Sequence, residues 1–134
     1  MFVDASALVA ILMREPGWEA LANCLDGAPH PTTSGLAVYE TVVALARMKD
    51  GDVGAARAEV GAFCAAAGLT IVDVEPQDAD AALAAFARYG KGRAHPAKLN
   101  MGDGFAYALA KRHGAALLFK GNDFPHTDIV PALP

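Results

Sequence analysis

Four acids spread over the whole chain, Asp4, Glu40, Asp103 and Asp123, each stand where an apolar strand has just ended or where a helix begins. In open α/β sheets ligands bind in the crevice outside the carboxyl ends of the strands, so acids far apart in sequence can converge there. Two carboxylates ~4 Å apart repel by about 4 kcal/mol at an effective dielectric of 20, so a converged cluster requires cations. An all-oxygen donor set selects a hard ion, Mg²⁺ or Mn²⁺ with several retained waters, the kind that bridges to substrate phosphates. Such an ion activates water, and a second one stabilises the leaving oxygen of an in-line displacement at phosphorus. The chemistry indicated is phosphodiester hydrolysis.

The elements that must position these acids alternate. Phe2 to Asp4 reads as a strand, followed by helices over Ser6 to Met13 and Trp18 to Leu25, separated by Arg14-Glu15-Pro16-Gly17. A short strand is expected within His30 to Thr33, then a helix capped by Ser34 that runs to about Lys49. Val53 to Ala67 reads as helix, Leu69 to Val74 as the clearest strand, and Gln77 to Tyr89 as an Ala-rich helix with Pro76 at its first turn. After a loop over Gly90 to Leu99, a helix is expected from Met101 to His113, then a final strand over Ala115 to Phe119 that breaks at Gly121-Asn122-Asp123. This order predicts an α/β fold, a parallel central sheet with helices on both faces and the acidic site at the strand carboxyl ends.

Each acid also has an ordinary reading. An Asp after a strand commonly forms a turn or caps a helix, which applies to Asp4 and Asp123. Asp103 lies three residues after Asn100, where Asn100 caps a helix and the acid meets the positive end of the dipole, which would keep it ionised. Glu40 is more telling. It borders an apolar arc of Leu36, Tyr39, Val42, Val43 and Ala46, and its neighbours at three and four residues, Leu36, Ala37, Val43 and Ala44, carry no charge to pair with it.

The 134 residues suit one domain, residues 1–134, and a chain 54% hydrophobic and 19% charged is compact rather than disordered. The apolar runs are far short of the ~20 residues that span a bilayer, and the first residues lack a basic leader, so a cytoplasmic protein without membrane association is expected. Cys24 and Cys64 have neither metal-ligand nor disulfide spacing and read as core thiols. His30, His113 and His126 show no zinc spacing and read as surface residues, and Trp18 as a core or dimer-contact aromatic.

The segments Met1 to Leu12, Thr33 to Glu40, Leu99 to Lys111, and Phe119 to Phe124 with Thr127-Asp128-Ile129 together resemble PIN-domain ribonucleases, specifically the VapC toxins of bacterial toxin–antitoxin systems. Four blocks in order and at the right separations are far more specific than any one of them. The resemblance implies a single PIN domain whose Asp4, Glu40, Asp103 and Asp123 line a Mg²⁺ site in which Mn²⁺ can substitute, with Ser6, Asn100 and Thr127 in support. It implies a Mg²⁺-dependent endoribonuclease cleaving structured RNA such as a transfer or ribosomal RNA loop. It further implies a homodimer, and a VapB-type antitoxin that covers the active site, joins it in a larger assembly and supplies the only contact with DNA. One departure is Gly104, where many members carry Cys or another larger residue; it bears on the rigidity of the helix start beside Asp103.

A formal charge of −4 suits a nuclease poorly, because phosphate contacts dominate nucleic-acid affinity. Its distribution is what counts. Metal would consume four acids, and the loop Lys91 to Lys98 gathers Lys91, Arg93, Lys98 and His95 just before the Asn100 block, where it can follow an RNA backbone or simply be a solvated connection. Two other classes compete. A phospho-acceptor receiver domain has the same α/β order but calls for paired acids after its first strand, whereas Ala5-Ser6 follows Asp4. A non-catalytic PIN-like domain that binds RNA or protein would not need all four acids.

Overall fold

A computed structural model describes residues 1–134. The chain runs β1 (Phe2–Val3), α1 (Ala5–Leu12), α2 (Trp18–Asp26), β2 (Thr32–Ser34), α3 (Gly35–Arg47), α4 (Val53–Ala66), β3 (Thr70–Val72), α5 (Pro76–Tyr89), α6 (Met101–Arg112) and β4 (Leu117–Leu118), with a 3₁₀ turn at Phe124–His126. The strands form one parallel sheet in the order β3-β2-β1-β4. The chain builds outward from β1 through β2 to β3, then crosses back to place β4 on the other side. The order therefore reverses at β1, and the crevice beside its carboxyl end is where such sheets bind ligands.

Strand alternation sorts the core into two layers. Phe2 and Leu117 pack with Tyr89, Leu99, Ala106 and Leu109, whereas their neighbours Val3 and Leu118 pack with Ala7, Leu8, Ile11, Leu21 and Leu25. Successive side chains of a strand point to opposite faces, so one face of the sheet carries α5 and α6 and the other α1 and α2. A third cluster, Val42, Leu45, Ala46, Ala56, Val60 and Cys64, joins α3 to α4.

Helix starts follow the sequence closely. Asp4 caps α1 by accepting from Ser6 N, Ser34 caps α3 by accepting from Ala37 N at 3.1 Å, and Asn100 with Asp103 forms a reciprocal capping box on α6. Gly104 is buried in the crossing of α6 with α5, where an added Cβ would stand 3.6 Å from the Ala82 carbonyl oxygen, an ordinary contact. The α6 start is thus firmly capped despite this glycine. Three expectations are corrected. The clearest strand, Leu69 to Val74, shortens to Thr70–Val72 at the sheet edge, with Ile71 49% exposed. The last strand shortens to Leu117–Leu118. Tyr39 leaves the apolar arc of α3 and is 65% exposed; Leu45 takes its place in the core.

Candidate active site

Three of the four acids meet. Asp4 at the end of β1, Glu40 in the second turn of α3 and Asp103 in the first turn of α6 line one cleft of about 420 Å³, together with Ser6, Glu15, Asn100 and Lys120. Asp123 is not among the lining residues. It stands at the start of the 3₁₀ turn after β4, near enough for its charge to act on Asp103.

Both ordinary roles coexist with this convergence. Asp4 is buried, and its Oδ2 accepts from Ser6 N at 3.0 Å and Ser6 Oγ at 2.5 Å. Asp103 Oδ2 accepts from Asn100 N at 3.0 Å while Asn100 Oδ1 accepts from Asp103 N at 3.0 Å. The two acids cap helices and face the cleft at once. Thr127 is placed differently: its hydroxyl donates to the Phe124 carbonyl at 2.7 Å and closes the 3₁₀ turn. The next residue, Asp128, accepts from the Tyr107 hydroxyl at 2.5 Å and from Lys111 Nζ at 3.0 Å, which ties the loop bearing Asp123 to α6. Those two donors hold the Asp128 carboxyl down at about 2.

The cleft acids move the other way. Burial, then the charges of Asp4 and Asp103, push Glu40 up to about 7. Burial also pushes Asp103 up to about 6, with the Asn100 amide opposing and the charges of Asp4 and Asp123 adding to it. Burial likewise raises Asp4 against its hydrogen bonds with Ser6. The helix start was expected to keep Asp103 ionised; desolvation outweighs that amide, so the carboxyl stays charged at neutral pH with little margin. None of the three acids takes part in the five ion pairs of the chain.

An uncompensated, all-oxygen donor set of this kind fits a hard divalent cation. No three acids stand close enough to form a finished coordination sphere. The arrangement is a lined cleft rather than a closed cage, which suits an ion that keeps several waters and takes one or two carboxylates directly.

The raised acids make a prediction with a definite sign. Each binds its proton more tightly in the folded chain, so the stabilisation is complete below the unfolded value near 4 and is lost as pH rises through about 6 for Asp103 and about 7 for Glu40. In EDTA the melting temperature is expected to fall by several degrees from about pH 5 to about pH 8, at roughly 4 °C per kcal/mol for a domain of this size. Mg²⁺ should flatten the fall, because it binds the ionised form. Scanning calorimetry across that range checks it, and a melting temperature that rises with pH in EDTA contradicts it.

Sequence reading assigned no role to Gly102, the second residue of α6. A Cβ there would lie 2.6 Å from Glu40 Cδ, so only glycine lets the Glu40 carboxylate rest on the first turn of α6. Free N–H groups of that turn present positive partial charge to it. Gly102→Ala is expected to swing the flexible Glu40 end aside and lower cleavage of RNA about 10- to 100-fold. The fold should be unharmed, since Ala in a helix is favoured over Gly by roughly 1 kcal/mol. Paired rate and melting measurements test this; unimpaired cleavage would show that the position of Glu40 does not matter.

The basic loop does not line the cleft. Lys91, Gly92, Ala94, His95, Pro96 and Lys98 line a separate concavity, and Lys91, Arg93 and Lys98 are all exposed. Backbone bonds between Lys91 N and Leu99 O and between Leu99 N and Tyr89 O, each 2.9 Å, pin the base of the loop against the entry to α6. His30, His113 and His126 are exposed, Cys64 is buried and Cys24 partly so. Trp18 is half-buried against the layer formed by α1 and α2. No helix is long and apolar enough to cross a membrane.

Comparison with known proteins gives a consistent relationship. The PIN domain family matches residues 1–130. A VapC ribonuclease of Rhizobium meliloti (strain 1021) is 42% identical, over 96% of this chain and 98% of its own. Ribonuclease VapC30 of Mycobacterium tuberculosis (strain ATCC 25618 / H37Rv) is 43% identical over the full length of both. Among solved structures, the Mycobacterium tuberculosis toxin VapC20, described as cleaving the Sarcin-Ricin loop, superposes with a TM-score of 0.77 over 99% of this chain and 98% of that one. At 17% identity that likeness concerns the fold.

Proposed function

The chain belongs to the PIN-domain family, and from that premise we propose that it is a metal-dependent endoribonuclease, the toxin of a VapBC-type toxin–antitoxin pair. The observation that carries this reading is the convergence of Asp4, Glu40 and Asp103, from three separate elements, in one cleft where none of the three is ion-paired. Full-length similarity to VapC ribonucleases supports it.

In this reading Asp4, Asp103, Glu40 and Asp123, whose charge reaches Asp103, hold Mg²⁺, with Mn²⁺ able to replace it. The ion would supply activation of water and neutralisation of charge at phosphorus. Ser6 fixes the Asp4 carboxylate through two hydrogen bonds and Asn100 fixes Asp103. Glu40, which shares the cleft with Asp4 and Asp103, either ligates the ion directly or positions the attacking water. Lys91, Arg93 and Lys98 are assigned to contacts with the RNA backbone; that all three are exposed on the loop leading into α6 supports the assignment. Thr127 acts at a distance, by closing the turn next to Asp123.

The substrate proposed is a folded RNA with an exposed single-stranded loop, transfer or ribosomal RNA, because unpaired loops are where base edges are available for specific recognition. The protein works in the cytoplasm as one PIN domain, as a homodimer, and is silenced by a VapB-type antitoxin through which alone it meets DNA. Expression of the chain by itself should arrest growth through cleavage at one or a few RNA sites, and the co-expressed antitoxin should relieve the arrest. Sequencing of RNA ends after induction decides the matter. Fragments scattered over all transcripts refute selectivity, and arrest that survives in an Asp4→Ala, Asp103→Ala double variant refutes the nuclease.

A further inference from the structure

One cation lines the acidic cleft. Lys120 follows β4, and its backbone N donates to Ser6 Oγ at 3.0 Å, the hydroxyl that itself donates to Asp4 Oδ2 at 2.5 Å. A single side chain therefore ties the main chain of Lys120 to the carboxylate at the end of β1. The ammonium of Lys120 reaches Glu15 Oε2 at 3.0 Å, with the two side chains 34% and 36% exposed. Glu15 is held in the turn after α1, where Arg14 and Gly17 take φ of +50° and +88° and Glu15 N donates to Ala10 O at 2.9 Å.

An ion pair exposed to this degree contributes little to stability, so folding does not account for it. Its place in the cleft suggests another use. The lining acids Asp4, Glu15, Glu40 and Asp103 outnumber the one cation. A phosphodiester entering that field gains from a compact, half-solvated ammonium with three donors, a point charge well suited to a phosphate oxygen. We propose that Lys120 is a substrate-contacting residue that takes a phosphate oxygen of the bound RNA, and that Glu15 parks the ammonium at the cleft wall until the phosphate displaces it. The inference rests on the ribonuclease reading and extends it to a residue outside the carboxylate set.

The test uses the full chain in two assays. Affinity for a short fluorescein-labelled single-stranded RNA is measured against salt in the Asp103→Asn background, and cleavage of total cellular RNA is measured in the otherwise natural chain. Lys120→Met is expected to flatten the slope of log affinity against log salt by about 0.7, the release expected for one phosphate contact on a single strand. It should also lower the cleavage rate about 10- to 100-fold, with Lys120→Arg recovering most of both. Glu15→Gln frees the ammonium and removes a repelling charge, so binding should tighten several-fold. A purely structural ion pair predicts instead that Glu15→Gln and Lys120→Met weaken the chain alike, with matching losses in melting temperature. That result overturns the inference, as does an unchanged salt slope in Lys120→Met while the natural chain cleaves. If the natural chain cleaves no RNA, the ribonuclease reading itself falls and takes this inference with it.

Discussion

Replacing Asp103 by Asn is expected to abolish metal-dependent cleavage while leaving the metal-free fold as stable as before or more so. The capping geometry makes the two effects separable. Asp103 Oδ2 accepts from Asn100 N at 3.0 Å, and an amide oxygen can accept the same bond; the reciprocal bond from Asp103 N to Asn100 Oδ1 is untouched. What the amide removes is the charge. With the carboxyl pushed up to about 6, the ionised form is less favourable in the fold than in the unfolded chain at neutral pH, so neutralising it relieves the cleft. The lost attraction to the α6 N-terminus, roughly 0.3–1 kcal/mol, opposes that gain without reversing it. On the catalytic side the loss should be on the order of a thousandfold, the scale of several kcal/mol of metal-derived stabilisation in the transition state. Melts in EDTA and in Mg²⁺, together with cleavage rates, measure both. A variant strongly destabilised in EDTA would mean that Asp103 is a structural cap and no more.

Local signals were legible in the sequence. Helix caps are set by residues within three positions of one another, so Asp4, Ser34 and the Asn100–Asp103 box marked the starts of α1, α3 and α6. The β-branched residues of Thr70–Val72 marked a strand but not its place. β-propensity reflects fit to a pleated, half-buried surface, which an edge strand satisfies as well as a central one. Contacts between distant side chains left no comparable trace. Lys120 meets Glu15 across 105 positions and Arg112 meets Asp78 across 34, and no periodicity or cap pattern couples such pairs. Gly102 is a similar case. Its requirement for an absent Cβ comes from Glu40 on another helix rather than from any turn, so the usual signature of a needed glycine, a positive φ, is missing.

The other large effect expected is on stability, from Arg112→Leu. Asp78 lies in the first turn of α5 with its side chain only 1% exposed, and its Oδ2 accepts from Glu75 N at 2.7 Å as part of the α5 capping box. Arg112, in the last turn of α6, clamps it from across the helix pair. Nε donates to Oδ1 at 2.7 Å, Nη2 donates to Oδ2 at 3.0 Å and to the Asp73 carbonyl at 2.8 Å, and Nη1 approaches Glu75 at 3.5 Å. Burial alone would raise the Asp78 carboxyl, but the bonds from Arg112 and the Glu75 amide hold it below the usual carboxylate range. Removing one partner of a buried pair strands the other charge, a far larger penalty than the pair is worth intact. The melting temperature is expected to fall on the order of 10 °C. Arg112→Lys should recover only part of this, because an ammonium cannot form the two-pronged contact. A double variant, Arg112→Leu with Asp78→Leu, should recover part of it, since an apolar pair leaves no stranded charge although the Glu75 amide loses its cap. Asp103 lies nine residues back along α6, ~13 Å away at 1.5 Å per residue, so cleavage by the still-folded single variant at low temperature should be close to natural. A melting temperature within a degree or two of the natural chain would show that α5 and α6 are held by apolar packing alone, and a loss of cleavage without a loss of stability would place Arg112 in the path between the helix pair and the site.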